Sequence, residues 1–221
     1  SNFTDFSVLE RDERFHAYYT NNVEEIGKAD IIILPGTKNT ISDLRNIRAN
    51  GIAEAVIRAH KEGKKVIGIC GGYQMMGARI EDPDQIEGDM TAIPGLGILP
   101  LVTIMEPEKV TRQDQFTFRN HPETCKGYEI HMGRTTLLDG APEAPLNRLH
   151  DGRTDGYILN ERCWGSYLHG ILDNDIVLNE LAEGLNQASP TTFNYTDFKD
   201  QQYHNLADHV SAHVDLPYIY S

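Results

Sequence analysis

Four consecutive apolar and mostly β-branched residues, Ile31 to Leu34, run into a Pro-Gly turn, the pattern of a short buried strand. Thr40 or Ser42 then caps a stretch in which Ile41, Leu44, Ile47, Ile52, Ala55, Val56 and Ala59 recur at mainly three- and four-residue intervals, with Gly51 kinking or dividing it. A second strand begins at Lys65 with K-V-I-G-I, and a second helical period follows Gly72. Strand, helix, strand, helix predicts an α/β fold, a mostly parallel sheet flanked by helices.

Between Gly88 and Pro107 glycines and prolines break the chain into short β-like pieces, and Q-F-T-F-R adds another. This middle part reads as an antiparallel excursion. Strand patterns return in K-G-Y-E-I-H-M-G-R-T-T-L, D-G-Y-I-L-N and C-W-G-S-Y-L-H-G-I-L. Helical periods resume in I-V-L-N-E-L-A-E-G-L-N-Q and around Y-H-N-L-A-D-H-V-S-A-H. The 139–147 stretch, D-G-A-P-E-A-P-L-N, continues neither period and is expected to be a mobile loop. The front fits least: the first fourteen residues are polar and acidic, and H-A-Y-Y-T at 16–20 is the first strand candidate. Either the opening strand is missing or the polypeptide starts elsewhere.

Composition narrows the class. The 221 residues carry 20 Lys and Arg against 33 Asp and Glu, a formal net charge of −13, which disfavours nucleic acid and anionic membrane surfaces as partners. No apolar run approaches the roughly 20 residues needed to span a bilayer, and the acidic N-terminal stretch is unlike a signal peptide, so a cytoplasmic protein without a membrane segment is expected. Cys70, Cys125 and Cys163 lack paired spacing and form no C-x-x-C, which argues against a disulfide framework and a thiolate metal site.

The sharpest local feature is G-I-C-G-G at 68–72, between a strand and a helix pattern. Glycines flanking Cys70 suit a sharp strand-to-helix elbow that thrusts a nucleophile out at the carboxyl end of a sheet. There the helix N-terminus favours a thiolate, and the N–H of Gly71 is placed to donate to an oxyanion. A buried, unreactive cysteine is the bland alternative. The base is sought among nine histidines. His169 ends an apolar segment that Gly170 breaks, which puts it at a strand tip, whereas His60, His204, His209 and His213 lie in polar helical surroundings. His121 begins a His-x-Glu, but its wholly polar context marks it as a decoy.

The elbow G-I-C-G-G-Y-Q, the upstream L-P-G-T-K-N-T, the G-Y-E-I-H-M-G segment and the closing Y-L-H-G-I-L, in this order, resemble the glutamine amidotransferase domain of the cobyric acid synthases, a branch of the class I amidotransferases with a flavodoxin-like architecture. The resemblance covers nearly the whole chain. It implies a remnant of an interdomain segment at 1–14, an amidotransferase domain at 15–190, and a C-terminal helix and tail at 191–221 packed on that domain.

By the same resemblance Cys70 matches the nucleophile, His169 the catalytic histidine, Gly36 the loop that completes the oxyanion hole with Gly71, and Gln74 a glutamine that helps hold the substrate. The wider class has a glutamate two positions after the histidine, where this chain has Ile171. The cobyric acid synthase branch also lacks it, and the orienter of His169 stays open between Asp173, near in sequence, and Glu129. The period of two puts Glu129 and His131 on one strand face. They line a glutamine pocket or an ammonia exit, or else belong to a half-exposed strand.

The resemblance implies hydrolysis of free glutamine through a Cys-His thioester. An N-terminal synthetase domain of the same polypeptide would use ATP and magnesium to activate adenosylcobyrinic acid a,c-diamide for amidation. No P-loop and no cofactor or metal site is expected in this chain. The competing possibilities are a cobyrinic acid a,c-diamide synthase or cell-wall amidotransferase, a cysteine hydrolase of the same superfamily, and a non-catalytic scaffold.

Overall fold

The computed structural model describes residues 3–185 and residue 204. The helix and tail expected at 191–221 lie outside the described residues, apart from residue 204. Two sheets organise the domain. In the first, β1 (Ile31–Leu34), β2 (Lys65–Ile69) and β10 (Cys163–Ser166) are parallel and β9 (Tyr157–Asn160) is antiparallel, in the order β1-β2-β10-β9. Helices α3 (Thr40–Ala49) and α4 (Ile52–Lys61) form the connection from β1 to β2. Gly51, at φ 73°, divides them as the sequence indicates, and Asn39 caps α3 by accepting from the Ser42 N–H at 2.8 Å. The expected caps, Thr40 and Ser42, lie just inside the helix.

Alternation along β2 sends side chains to two cores. Val66 packs with Leu44, Val56 and Ala59 on one side, while Ile67 and Ile69 pack with Phe118, Trp164, Val177 and Leu178 on the other. Gly68 lets α5 (Gly71–Met76) lie directly on the strand, since a Cβ there would meet Met76 Sδ at 2.6 Å and Tyr73 Cα at 2.7 Å.

The middle of the chain forms a second sheet with more strands than the first, antiparallel except for one parallel pair. Its spine is the hairpin β5 (Leu101–Phe118) and β6 (Thr124–Leu137), flanked by β3 (Arg79–Glu81), β4 (Ala92–Pro94) and the two-residue β11 (Leu168–His169), in the order β11-β6-β5-β3-β4. Pairs β7 (Asn147–Leu149) and β8 (Thr154–Asp155) join β5 laterally. The 139–147 segment is irregular, yet it is anchored: Leu146 is fully buried and Arg119 N–H donates to its carbonyl at 2.7 Å.

The front of the chain departs furthest from expectation. Residues 16–20 form no strand. Residues Phe3–Phe6 make a 3-10 turn that leads into α1 (Ser7–Arg11), and α2 (Val23–Lys28) follows. Phe6, Val8 and Leu9 are buried against Ile69, Leu168, Ile171 and Leu172, each burial worth about 1.5–3 kcal/mol. Asp12 is buried, and its carboxylate accepts from Arg14 Nε and the guanidinium Nη2 at 2.6–3.1 Å. Arg14 also donates to Asn179 at 2.7 Å, tying this segment to α6 (Asp175–Ala182). The polar front is thus packed on the domain.

Candidate active site

Cys70 sits where β2 turns into α5, at φ 51° and ψ −112°, a strained conformation for a residue with a Cβ. The two following glycines make the turn possible. A Cβ on Gly71 would overlap the Thr37 methyl, and one on Gly72 would overlap the Leu34 carbonyl oxygen. The loop after β1 therefore lies directly against the elbow. Gly36 in that loop is the meeting point: an ideal Cβ there would stand 3.5 Å from Cys70 Cβ, 3.0 Å from His169 Cε1 and 3.7 Å from His169 Nε2. Cys70, His169, Gly36 and Gly71 converge at one end of the sheet. The Cys70 sulfur faces the Ile130 carbonyl of β6 at 3.6 Å.

His169 is buried, and its Nδ1 lies 2.6 Å from Asp5 Oδ2. The other carboxylate oxygen of Asp5 accepts from the Gly170 N–H at 3.1 Å. Burial by itself lowers the pKa of His169, but the Asp5 hydrogen bond, the Cys70 sulfur and the charges of both outweigh it and raise the pKa to about 9. A thiol, an imidazole and a carboxylate thus meet here, Cys70, His169 and Asp5, with the carboxylate supplied from the 3-10 turn near the front of the chain.

Neither expected orienter occupies that place. Glu129, at register with Leu168, pairs with Arg112 at 3.0 Å and Arg153 at 3.3 Å. Asp173 belongs to the 3-10 turn after Gly170, and Asp5 holds the Nδ1 position instead. The sequence did contain a signal for Asp5. The apolar residues Phe6, Val8 and Leu9 follow it in an otherwise polar stretch, and their burial is what carries the carboxylate into the site.

Gln74 lies in a buried network. Its oxygen accepts from the Thr40 hydroxyl at 3.0 Å, and its amide donates to the Met132 carbonyl at 2.8 Å and the Tyr167 hydroxyl at 3.1 Å. Those bonds tie α5 to α3, β6 and the segment before His169. His131 stacks on Tyr167 with centroids 3.7 Å apart, its Nδ1 is buried with no hydrogen-bond partner, and burial lowers its pKa. Asp155, also buried, accepts from the Ser166 hydroxyl at 2.5 Å and the Tyr167 N–H at 2.9 Å, which fixes the corner from which His169 projects. Burial raises the Asp155 pKa. His121 pairs with Glu180 on α6 and stacks on Phe118, away from the Cys70 and His169 constellation. Among the described residues no three His, Cys, Asp or Glu side chains are grouped to hold a metal ion, and no helix is long and apolar enough to cross a membrane.

The raised pKa of His169 has a measurable consequence. A histidine with a folded-state pKa near 9 and an unfolded value of 6.5 adds stability that is complete below about pH 6.5 and is lost as the pH rises through 9. The stability advantage over the Asp5→Asn variant should therefore shrink between pH 6 and pH 10, by about 2–3 kcal/mol in urea unfolding. A constant difference over that range would contradict the Asp5–His169 assignment.

A helix-flanked sheet with a cysteine at a strand-to-helix elbow agrees with solved glutamine amidotransferase structures at the level of fold. A protein described as a glutamine amidotransferase superposes with a TM-score of 0.60 at 18% identity, covering 84% of this chain and 94% of its own. The PurLQS structure from Thermotoga maritima gives a TM-score of 0.53 at 20% identity, over 75% of this chain and 80% of its own. Sequence makes the family specific: residues 1–177 match the CobB/CobQ-like glutamine amidotransferase domain, and the chain belongs to that family.

Cobyric acid synthases of Parabacteroides distasonis and Bacteroides fragilis are 66% and 56% identical to it across the whole chain, and that of Syntrophobacter fumaroxidans is 42% identical over 98% of it. The chain spans 45%, 45% and 46% of those three proteins, a little under half of each.

Proposed function

We propose that this chain is the glutaminase part of a cobyric acid synthase, releasing ammonia from free glutamine. The convergence of Cys70, His169 and Asp5 at the elbow carries the proposal. The Cys70 sulfur attacks the side-chain amide carbon of glutamine, and the N–H groups of Gly36 and Gly71 hold the developing oxyanion. His169, protonated and held by Asp5, gives its Nε2 proton to the departing nitrogen, and ammonia leaves a γ-glutamyl thioester on Cys70. Water entering in its place loses a proton to Nε2 and attacks the thioester. Collapse expels the Cys70 thiolate, glutamate departs with its carboxyl proton passing to solvent, and the thiolate and imidazolium are restored. Asp5 remains ionised throughout.

Gln74 contributes by fixing the elbow through its three hydrogen bonds, and His131, stacked on Tyr167 beside that network, borders the glutamine pocket. The ammonia is taken up by an N-terminal synthetase domain of the same polypeptide, where ATP and magnesium activate the carboxylates of adenosylcobyrinic acid a,c-diamide for amidation. The high identity to proteins named cobyric acid synthase favours that acceptor over a related amidotransferase.

A diazoketone analogue of glutamine tests the nucleophile. It should form one covalent adduct, mapped by mass spectrometry to Cys70, and Cys70→Ala should abolish both the adduct and glutamate formation. Absence of both adduct and glutamate formation from the full-length enzyme supplied with ATP and its acceptor would overturn the proposal.

A further inference from the structure

The Asp5 hydrogen bond holds Nδ1 at one point. It leaves the plane of the ring to the χ2 torsion about Cβ–Cγ, which is intrinsically broad. The tilt of His169 must therefore be set by what touches its edge and faces. Gly36 closes the Cε1 edge, where an ideal Cβ would stand at 3.0 Å. Tyr128, directly opposite His169 in the β6–β11 pair, lies over one face, with ring centroids 5.3 Å apart and planes 19° from parallel.

The approach of β6 is itself built for this contact. A Cβ on Gly127 would stand 2.9 Å from the His169 carbonyl oxygen, so the strand comes this close only with glycine beside Tyr128. On the other side, a Cβ on Gly170 would lie 3.9 Å from Tyr128 Cε1, so the phenol ring also covers the residue whose N–H binds Asp5. Four titratable groups face this region from the other elements: Asp5 from the first turn, Cys70 from the elbow, His131 from β6, and Asp173 from the turn after Gly170. Asp5 and Cys70 favour the imidazolium and His131 opposes it. An aromatic face adds attraction for the cation without adding a charge.

We propose that Tyr128 is a positioning residue for the Cys70 and His169 pair: its ring sets the tilt of the imidazole and stabilises the imidazolium that protonates the departing ammonia. This deepens the glutaminase assignment and rests on it for its role in turnover. The test uses full-length enzyme in which the His169 ring is followed by NMR of labelled histidine, alongside glutamine kinetics.

In Tyr128→Leu the His169 titration midpoint should fall by about one pH unit, and the alkaline limb of kcat/KM should fall with it. In the same variant kcat should drop about tenfold with KM within about twofold, because a tilted base misaligns the proton transfer and leaves binding intact. Tyr128→Phe keeps the ring and should match the parent in all three measurements. A Tyr128→Leu enzyme whose midpoint and alkaline limb stay in place would overturn the proposal, whatever its melting temperature. So would a Tyr128→Phe enzyme shifted as far as the leucine variant, since the hydroxyl would then carry the effect. If the parent released no ammonia from glutamine, the glutaminase assignment would fail, and the His169 midpoint would still decide the role of the ring.

Discussion

Asp5→Asn should lower kcat for glutamine hydrolysis by about 10³-fold while KM changes only a few-fold. The reason lies in how the carboxylate is used. One oxygen accepts from the Gly170 N–H and the other from His169 Nδ1. An asparagine has one acceptor. If its oxygen stays on Gly170, its NH2 faces Nδ1 and demands an unprotonated nitrogen there, which removes the imidazolium that must donate from Nε2. If it turns the other way, the NH2 collides with the Gly170 N–H. Either orientation also withdraws the negative charge that helps raise the His169 pKa to about 9. Steady-state glutaminase kinetics of the full-length variant check the prediction, and a loss below about tenfold would show that His169 needs no carboxylate. Circular dichroism should report an unchanged fold, because Phe6, Val8 and Leu9 still dock the segment.

Gly72→Ala should destabilise the protein by about 3 kcal/mol, a drop of about 6–12 °C in melting temperature, and abolish glutaminase activity. The added methyl would overlap the Leu34 carbonyl oxygen and stand 2.8 Å from Leu34 Cβ. These atoms belong to the end of β1, hydrogen-bonded into the sheet beside β2, so the clash cannot be relieved by turning a side chain. Any retreat of β1 carries Pro35 and Gly36 with it and opens the space that Gly36 shares with Cys70 and His169. Gly27→Ala is the matched control. It lies inside α2 with nothing within 4 Å of the new methyl, and it should be neutral or stabilising by up to about 1 kcal/mol. Thermal unfolding of the two variants side by side separates the collision from the loss of glycine as such.

Much of this molecule is legible locally. The apolar run of β1, the three- and four-residue spacing of α3 and α4, and the break at Gly51 each report short-range preferences that tertiary packing here reinforces. The elbow is legible for the same reason: the strain at Cys70 and the crowding at Gly71 and Gly72 leave a glycine signature within five residues. The capping of α3 shows the limit of such signals. Asn39, Thr40 and Ser42 all suit a helix start, and only the backbone at Asn39, extended and with its side chain on the Ser42 N–H, selects one.

The sequence by itself determined the alternating α/β order, singled out Cys70 and His169 by type and context, and identified the family through four ordered motifs. Each of those is written in neighbours a few residues apart. What the tertiary structure decided is which groups meet across the chain. Asp5 reaches His169 from 164 residues away. Glu129 is taken by Arg112 and Arg153 instead, and Gln74 is held in three hydrogen bonds. A carboxylate's role depends on which donors surround it after burial, and no local pattern of residues encodes that. Residues 3–14 make the difference plain: as a string they are mostly polar, yet three buried apolar side chains hold them in place and bring Asp5 to His169.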